Sequence, residues 1–143
     1  MSAMRSAILI ALTTSASASL VVPGFKTTYD VIKPGSGALV TKGATVTVHA
    51  TGNVLSGSGS VTKFWSTRDA GQTPFTYLAG MGGVISGWDQ GCLGMRLGEV
   101  RVLVIPPDEG YGAKGFPAWS SPESATLQFE IEVLSIKGGK DEV

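Results

Sequence analysis

The sequence predicts an α+β domain, an antiparallel β-sheet with one short α-helix laid across its apolar face. Its 143 residues are enough for a single domain and too few for two independent cores. The 20 glycines and 7 prolines favour tight turns between short strands over a helical bundle. Several segments alternate apolar and polar residues, which is typical of strands with one buried face.

The first clear strand covers residues 44–51. Val46, Val48 and Ala50 alternate there with polar residues, one of which is the only histidine, His49. We expect Gly52 to end this strand and residues 53–60 to form a Gly/Ser-rich loop.

A short helix is predicted between Ile85 and Leu93, ahead of two further strands. Ile85, Trp88 and Cys92 recur at helical spacing, and the glycines after them shorten or end the helix. Residues 100–105 are rich in β-branched side chains and stop at a Pro-Pro pair, so they predict the second strand. The third strand covers residues 126–136, with Leu127, Phe129, Ile131 and Val133 on one face.

The two ends of the chain differ from its centre. Residues 1–18 resemble a secretory signal peptide, since they carry one Arg, a short apolar run and the small-residue site Ala16-Ser17-Ala18. A transit peptide or a loosely packed extension are the alternatives. The apolar run is shorter than the ~20 residues that span a bilayer, so no membrane anchor is expected. We interpret residues 19–24 as a linker, 25–137 as the domain and 138–143 as a polar tail.

Several classes of function are excluded by composition. Eleven basic and eleven acidic residues leave no net charge, so nucleic-acid binding through phosphates is not expected. One Cys and one His predict neither a disulfide nor a zinc site, and we expect no metal and no cofactor.

No residue pattern indicates a nucleophile or a catalytic base. We interpret His49 as a surface residue, Cys92 as a buried inert thiol and Asp108-Glu109 as turn residues. The glycines of residues 80–83 resemble a phosphate loop only weakly, because no Lys-Ser/Thr follows them.

Aromatic residues are concentrated from residue 64 onward, often beside Gly- and Pro-rich loops. They are Phe64, Trp65, Phe75, Tyr77, Trp88, Tyr111, Phe116, Trp119 and Phe129. A core accounts for about half of them, and the rest predict an apolar ligand pocket with few polar groups.

Five motifs then resemble the FKBP-type peptidyl-prolyl isomerases. They are GVISGWDQG at 83–91, GMRLGE at 94–99, IPP at 105–107, YGA at 111–113 and ATLQFE at 125–130. VHATG at 48–52 and KFWSTRD at 63–69 occur upstream in the same order. The resemblance covers about residues 28–136. It implies a strongly twisted antiparallel sheet wrapped around one short helix, with an apolar pocket between them.

The resemblance also implies which residues form the site. Trp88 matches the pocket floor, with Tyr111, the Ile85 backbone N–H and Phe129 in the catalytic set. Substrate-binding positions are Phe64, Trp65, Phe75, Val84 and Ala50, together with Phe116 and Trp119 on an overhanging loop at residues 115–122. The implied activity is cis-trans isomerisation of X-Pro bonds, assisting protein folding. The alternative is a binding module of the same fold for proline-containing segments or a protein partner, with little or no turnover.

Three departures from the family pattern affect one wall of the pocket. The family has Tyr where this chain has Ala50, Asp where it has Trp65, and an Arg that is missing from residues 69–72. We therefore expect proline-containing peptides or unfolded proteins as ligands, and tacrolimus or rapamycin with reduced affinity. We expect a monomer in the secretory pathway, in the endoplasmic reticulum lumen if the C-terminal Lys-Asp-Glu-Val acts like Lys-Asp-Glu-Leu, with the cytoplasm as the alternative.

Overall fold

The computed structural model describes residues 19–55, 60–110 and 126–138. Its elements in chain order are β1 (Leu20–Val21), β2 (Thr28–Lys33), β3 (Ser36–Leu39), β4 (Thr45–Leu55), β5 (Val61–Ser66), β6 (Phe75–Leu78), α1 (Ser86–Gly91), β7 (Arg96–Leu97), β8 (Val100–Ile105), a 3-10 turn (Pro107–Glu109) and β9 (Thr126–Lys137). No helix among these residues is long and apolar enough to cross a membrane.

In the described part of the chain, seven strands form one antiparallel sheet. Six of them follow the order β1-β2-β8-β9-β4-β5, and β6 also pairs with β4. Along one edge, the long strand β4 pairs with β6 near its start and with β5 near its end. Its other edge pairs with β9 over its whole length. A second, two-stranded sheet joins β3 to β7. The α+β fold predicted from the sequence is confirmed.

The core lies between the inner face of the sheet and α1. On β4, Val46, Val48 and Ala50 are at most 1% exposed, and the predicted apolar face of β9 is equally buried. The helix spans six residues, fewer than the sequence predicts, and directs Trp88 and Cys92 into this core. The apolar residues that alternate along β4 and β9 thus meet Trp88 and Cys92, which lie one helical turn apart on α1, in one shared core.

The expectation that Gly52 ends its strand is wrong. β4 continues to Leu55 and remains paired with both β5 and β9 over these residues. A side chain at Gly52 would force two rings to shift, because a Cβ atom would lie 2.7 Å from Phe129 Cε1 and 2.8 Å from Phe64 Cζ. The glycine lets two aromatic rings approach the backbone, which is the other common role of glycine within a strand.

The segment expected to be a linker takes part in the sheet. Leu20 and Val21 form β1 and pair with Tyr29 and Thr28 of β2. Ser19 just before them donates a hydrogen bond of 2.8 Å from its hydroxyl to the Asp30 carboxylate. Residues 1–18 and 139–143 lie outside the described residues, so the signal peptide and the polar tail stay predictions.

A buried arginine fixes the C-terminal end of α1. Arg101 on β8 is 8% exposed, and its guanidinium donates to the backbone carbonyls of Gly91, at 2.9 Å, and Leu93. It is also paired with Glu99 and lies 4.2 Å from the ring centroid of Tyr29. A cation at this position satisfies carbonyls that no further helical turn can satisfy.

Candidate active site

Trp88 is the centre of an aromatic cluster inside the sheet. Its side chain is 3% exposed, and its ring centroid lies 5.0 Å from Phe129, 5.7 Å from Phe75, 5.9 Å from Tyr77 and 6.2 Å from Trp65. Edge-to-face and tilted contacts at these distances are the arrangements that aromatic rings prefer. The helix therefore supplies the floor of an apolar site, and three strands supply the rings around it.

The rim of the cluster is only partly buried. Phe64, Trp65, Phe75, Val84 and Ile85 pack against the buried core with part of each residue left accessible. Phe64 meets the Phe129 ring edge-on at 5.9 Å, and Trp65 meets Phe75 edge-on at 6.2 Å. A buried floor with a half-open apolar rim is the usual form of a small-ligand site.

Two polar atoms in the floor lack hydrogen-bond geometry. Within the described residues, neither Trp88 Nε1 nor Tyr77 Oη has a hydrogen-bond partner, and both atoms are buried. The two side chains lie close enough to each other to interact electrostatically. A buried donor without a partner carries a desolvation cost of about 1–3 kcal/mol. The floor of the site therefore carries an unfavourable contribution to folding.

The altered wall places Trp65 within the cluster and keeps Ala50 in the core. Ala50 is 1% exposed, and its backbone N–H and carbonyl bond the hydroxyl and the N–H of Thr67, each at 2.9 Å. Asp69, next in the altered stretch, pairs instead with Lys63 at 2.8 Å, and both side chains are about half exposed. The wall beside Trp88 is therefore aromatic at the position where the resemblance implies a carboxylate.

The backbone before α1 is held by a buried carboxylate. Asp89 is 2% exposed and accepts the N–H groups of Gly80, at 2.7 Å, and Gly82, at 2.9 Å. Both glycines have positive φ, of 74° and 79°, a conformation that side chains disfavour. In the segment that weakly resembles a phosphate loop, the Gly80 and Gly82 N–H groups therefore already donate to a side chain of the protein.

Ile85 lies at the N-cap of α1, where its carbonyl accepts the Asp89 N–H at 2.9 Å. Its own N–H has no hydrogen-bond partner among residues 19–55, 60–110 and 126–138. The first N–H groups of a helix are unsatisfied unless a side chain or a ligand accepts them. Ile85 thus offers a donor at the edge of the aromatic cluster.

Glu109 is a functional candidate that sequence reasoning missed. The 3-10 turn agrees with the turn interpretation of Asp108-Glu109, but Glu109 is 9% exposed and its carboxylate is fully engaged with residues 26 and 27. Burial by itself raises the pKa of Glu109, but bonds from the Thr27 hydroxyl and two backbone N–H groups outweigh it and hold the pKa below its ordinary value. No sequence signal marks this contact, because the partners are more than 80 residues apart.

The described residues offer no nucleophile or metal site in this region. Burial raises the pKa of the Cys92 thiol to about 12, and the interpretation of Cys92 as a buried thiol is confirmed. His49 Nδ1 and Thr67 Oγ1 are 2.9 Å apart on the polar side of β4. No group of three His, Cys, Asp or Glu among the residues with described positions could hold a metal.

The chain is similar to known proteins over most of its length. A family model described as FKBP-type peptidyl-prolyl cis-trans isomerase matches residues 36–134. A Vicia faba protein named peptidyl-prolyl cis-trans isomerase FKBP12 is 54% identical over 104 residues, covering 73% of this chain and 92% of that protein. The Arabidopsis thaliana protein of the same name is 52% identical over 107 residues, covering 75% and 95%. The chain belongs to the FKBP-type peptidyl-prolyl cis-trans isomerase family.

The similarity to FKBP proteins is not limited to those of plants. FK506-binding protein 1 of Dictyostelium discoideum is 44% identical to this chain over 107 residues, covering 75% of this chain and 94% of that protein. The isomerase activity predicted from the sequence is confirmed at the level of the family, and the binding-module alternative is not favoured.

The structure brings together eight of the eleven residues that the FKBP resemblance implies for the site. Trp88, Phe129 and Phe75 form the floor and its side, while Phe64, Trp65, Val84, Ile85 and Ala50 pack around the same core. Tyr111, Phe116 and Trp119 lie outside the described residues. Their roles, and the individual roles of the other eight, stay predictions.

Proposed function

We propose that this chain accelerates rotation about X-Pro bonds by binding the proline ring against Trp88, within the partly open aromatic rim. The observation that carries the proposal is the aromatic floor beside the Ile85 N–H, which has no hydrogen-bond partner in the part of the chain that the structure describes. Proline-containing peptides and unfolded proteins are the proposed substrates, and assistance to protein folding is the proposed role.

The chemistry suits a site without a nucleophile. Amide resonance sets a barrier of ~18–20 kcal/mol to rotation, and the twisted transition state has lost that resonance. Its carbonyl is less polar than that of the planar amide, so apolar surroundings favour the transition state over the ground state. The Ile85 N–H would hold one substrate carbonyl, and the Tyr111 hydroxyl is the second proposed anchor.

An exchange experiment on a short X-Pro peptide tests this function. Magnetisation exchange between the cis and trans resonances, with no protease present, should show catalysis by the wild type. The Trp88→Ala variant should lose it. An equal exchange rate with and without wild-type protein would contradict the proposal.

We further propose that the altered wall weakens binding of tacrolimus (FK506) or rapamycin. Relatives such as the Dictyostelium protein are named for FK506 binding. In this chain, Trp65 and Ala50 remove a carboxylate and a phenol that the resemblance implies for this wall. A lost hydrogen bond costs about 0.5–1.5 kcal/mol, or about 1.5–3 kcal/mol with a charged partner, so affinity should fall one or two orders of magnitude.

Calorimetric titration with tacrolimus should compare the wild type with the Ala50→Tyr, Trp65→Asp double variant. Both changes are made together, because Ala50 is fully buried and a larger side chain needs the space that Trp65 leaves. Val61→Asp is the matched control, since it adds a carboxylate to an exposed position of the same strand. The double variant alone should bind more tightly. If the wild type already binds as tightly as the double variant, the wall has no such role.

We also propose that the protein is a monomer that enters the secretory pathway and loses residues 1–18. Ala16-Ser17-Ala18 supports this site, and a cut after Ala18 would leave β1 and the Ser19–Asp30 bond complete. The C-terminal Lys-Asp-Glu-Val supports the endoplasmic reticulum lumen, with the cytoplasm as the alternative. The intact mass of protein from its native source tests the cleavage, because retention of residues 1–18 would contradict it.

A further inference from the structure

Glu109 connects three segments at the N-terminal end of α1. Its Oε1 accepts the Thr27 N–H at 2.8 Å and the Thr27 hydroxyl at 2.7 Å, and its Oε2 accepts the Lys26 N–H at 2.7 Å. Its backbone carbonyl accepts the Ser86 hydroxyl, at 3.3 Å, from the first residue of the helix. One residue thus bonds the segment before β2, the turn after β8 and the start of α1.

The contact needs a carboxylate. Three donors converge on two oxygens in a buried environment, where Glu109 is 9% and Thr27 0% exposed. A glutamine of the same shape has one oxygen, so its NH2 group would face an N–H donor and leave it unpaired. Asp108, by contrast, pairs with the Lys26 ammonium at 2.9 Å where both side chains are more than half exposed.

The residues that Glu109 and Thr27 contact are neighbours, along the chain, of the proposed site residues. Ser86 directly follows Ile85, whose N–H is the proposed donor to a substrate carbonyl. A Cβ atom at Gly87 would lie 2.6 Å from Thr27 Oγ1, so Thr27 packs directly against the residue that precedes Trp88. Tyr111, the second proposed anchor, follows Glu109 by two residues in the sequence.

We propose that Glu109 is a positioning residue for the isomerase, holding the Ile85 N–H in place relative to the Trp88 floor. The proposal rests on the proposed function. Glu109 does not contact the substrate, and acts through the helix start and the turn that it joins. Its loss should therefore slow rotation of bound substrate more than it weakens binding, because the aromatic floor stays in place.

The test compares Glu109→Gln with two controls in the X-Pro exchange experiment, at a temperature where all variants are folded. Asp108→Asn removes the neighbouring exposed carboxylate and should leave activity unchanged. Val133→Ala makes a cavity in the core formed by β4 and β9, and matches the loss of stability without altering the helix start. We expect Glu109→Gln to lower kcat about tenfold with KM little changed, which is less than the roughly hundredfold loss that a displacement of about 1 Å can cause.

The outcomes separate the two proposals. A wild type without activity overturns the proposed function, whereas an active wild type with Glu109→Gln as active as Val133→Ala overturns only the positioning role. If Glu109→Gln does not fold, Thr27→Val removes the hydroxyl bond alone and keeps both backbone bonds. It should lower kcat by a smaller factor with the same KM, and an unchanged kcat in Thr27→Val would then overturn the proposal.

Discussion

Replacement of Trp88 separates stability from activity, because the side chain is both the centre of the core and the proposed floor of the site. Truncation to Ala removes a side chain that is 3% exposed and touches four aromatic rings. Such changes cost about 3–5 kcal/mol. We expect Trp88→Ala to lower the melting temperature by more than about 10 °C for a domain of this size and to abolish isomerisation.

Trp88→Phe should cost far less stability. The smaller ring lacks two carbons and the nitrogen, and the two carbons are worth about 1.6 kcal/mol at roughly 0.8 kcal/mol per buried methylene. It also removes the buried Nε1–H that has no hydrogen-bond partner among the described residues, which recovers about 1–3 kcal/mol. The two contributions nearly cancel, so the free energy of unfolding should change by less than about 1 kcal/mol, with part of the activity retained.

Urea unfolding of both variants and the X-Pro exchange experiment measure the two effects separately. A Trp88→Phe variant as unstable as Trp88→Ala would show that the indole N–H is satisfied in the folded protein. Near wild-type catalysis by Trp88→Ala would place the site elsewhere.

Four further outcomes are expected. Gly52→Ala should cost about 1–3 kcal/mol in urea unfolding and lower kcat/KM, since its methyl would lie 2.7 and 2.8 Å from two rings of the site; wild-type values would show that the rings yield freely. Arg101→Met should cost about 3–5 kcal/mol by leaving Glu99 buried without its partner, and adding Glu99→Gln should restore most of it, which an additive double variant would contradict. Cys92, with its pKa raised to about 12, should react with iodoacetamide at pH 8 about three orders of magnitude more slowly in the folded than in the unfolded protein; fast native labelling would refute its burial. Because folding lowers the pKa of Glu109, its stabilisation is present above about pH 4.5, the ordinary value, and is lost as the pH falls through the folded pKa, so Glu109→Gln should show a flatter acid-unfolding profile than the wild type.

The strands with one buried face could be predicted from the sequence because their alternation is a direct consequence of burial. β8 and β9 begin at the residues expected, and the buried face of β9 is the predicted one. Gly52 was misleading, since glycine within a strand signals either an end or a close approach, and only the positions of Phe64 and Phe129 distinguish the two.

Only the aromatic part of the candidate site could be predicted from the sequence in the same way. Its aromatic rings follow from composition and resemblance, because large apolar side chains must be buried somewhere. Asp89 lies in the short helix α1 and Glu109 in the turn after β8, and a carboxylate at either kind of position ordinarily faces water. Their partners are backbone N–H groups, which every sequence contains, and those of Glu109 are 82 and 83 residues away. Only the folded chain shows which of them a carboxylate meets.

The position of β9 has a consequence for how the protein is made. Among the described strands, the last to leave the ribosome is an inner strand of the sheet, between β8 and β4, and it pairs Lys137 with Thr45. At about 5–20 residues per second, β4 emerges roughly 5–20 s before the strand that covers its whole length. During that interval one edge of β4 is an open template for other chains. Until β9 pairs, β8 and β4 have no strand between them, so the two parts of the sheet are joined only once residues 126–137 are made.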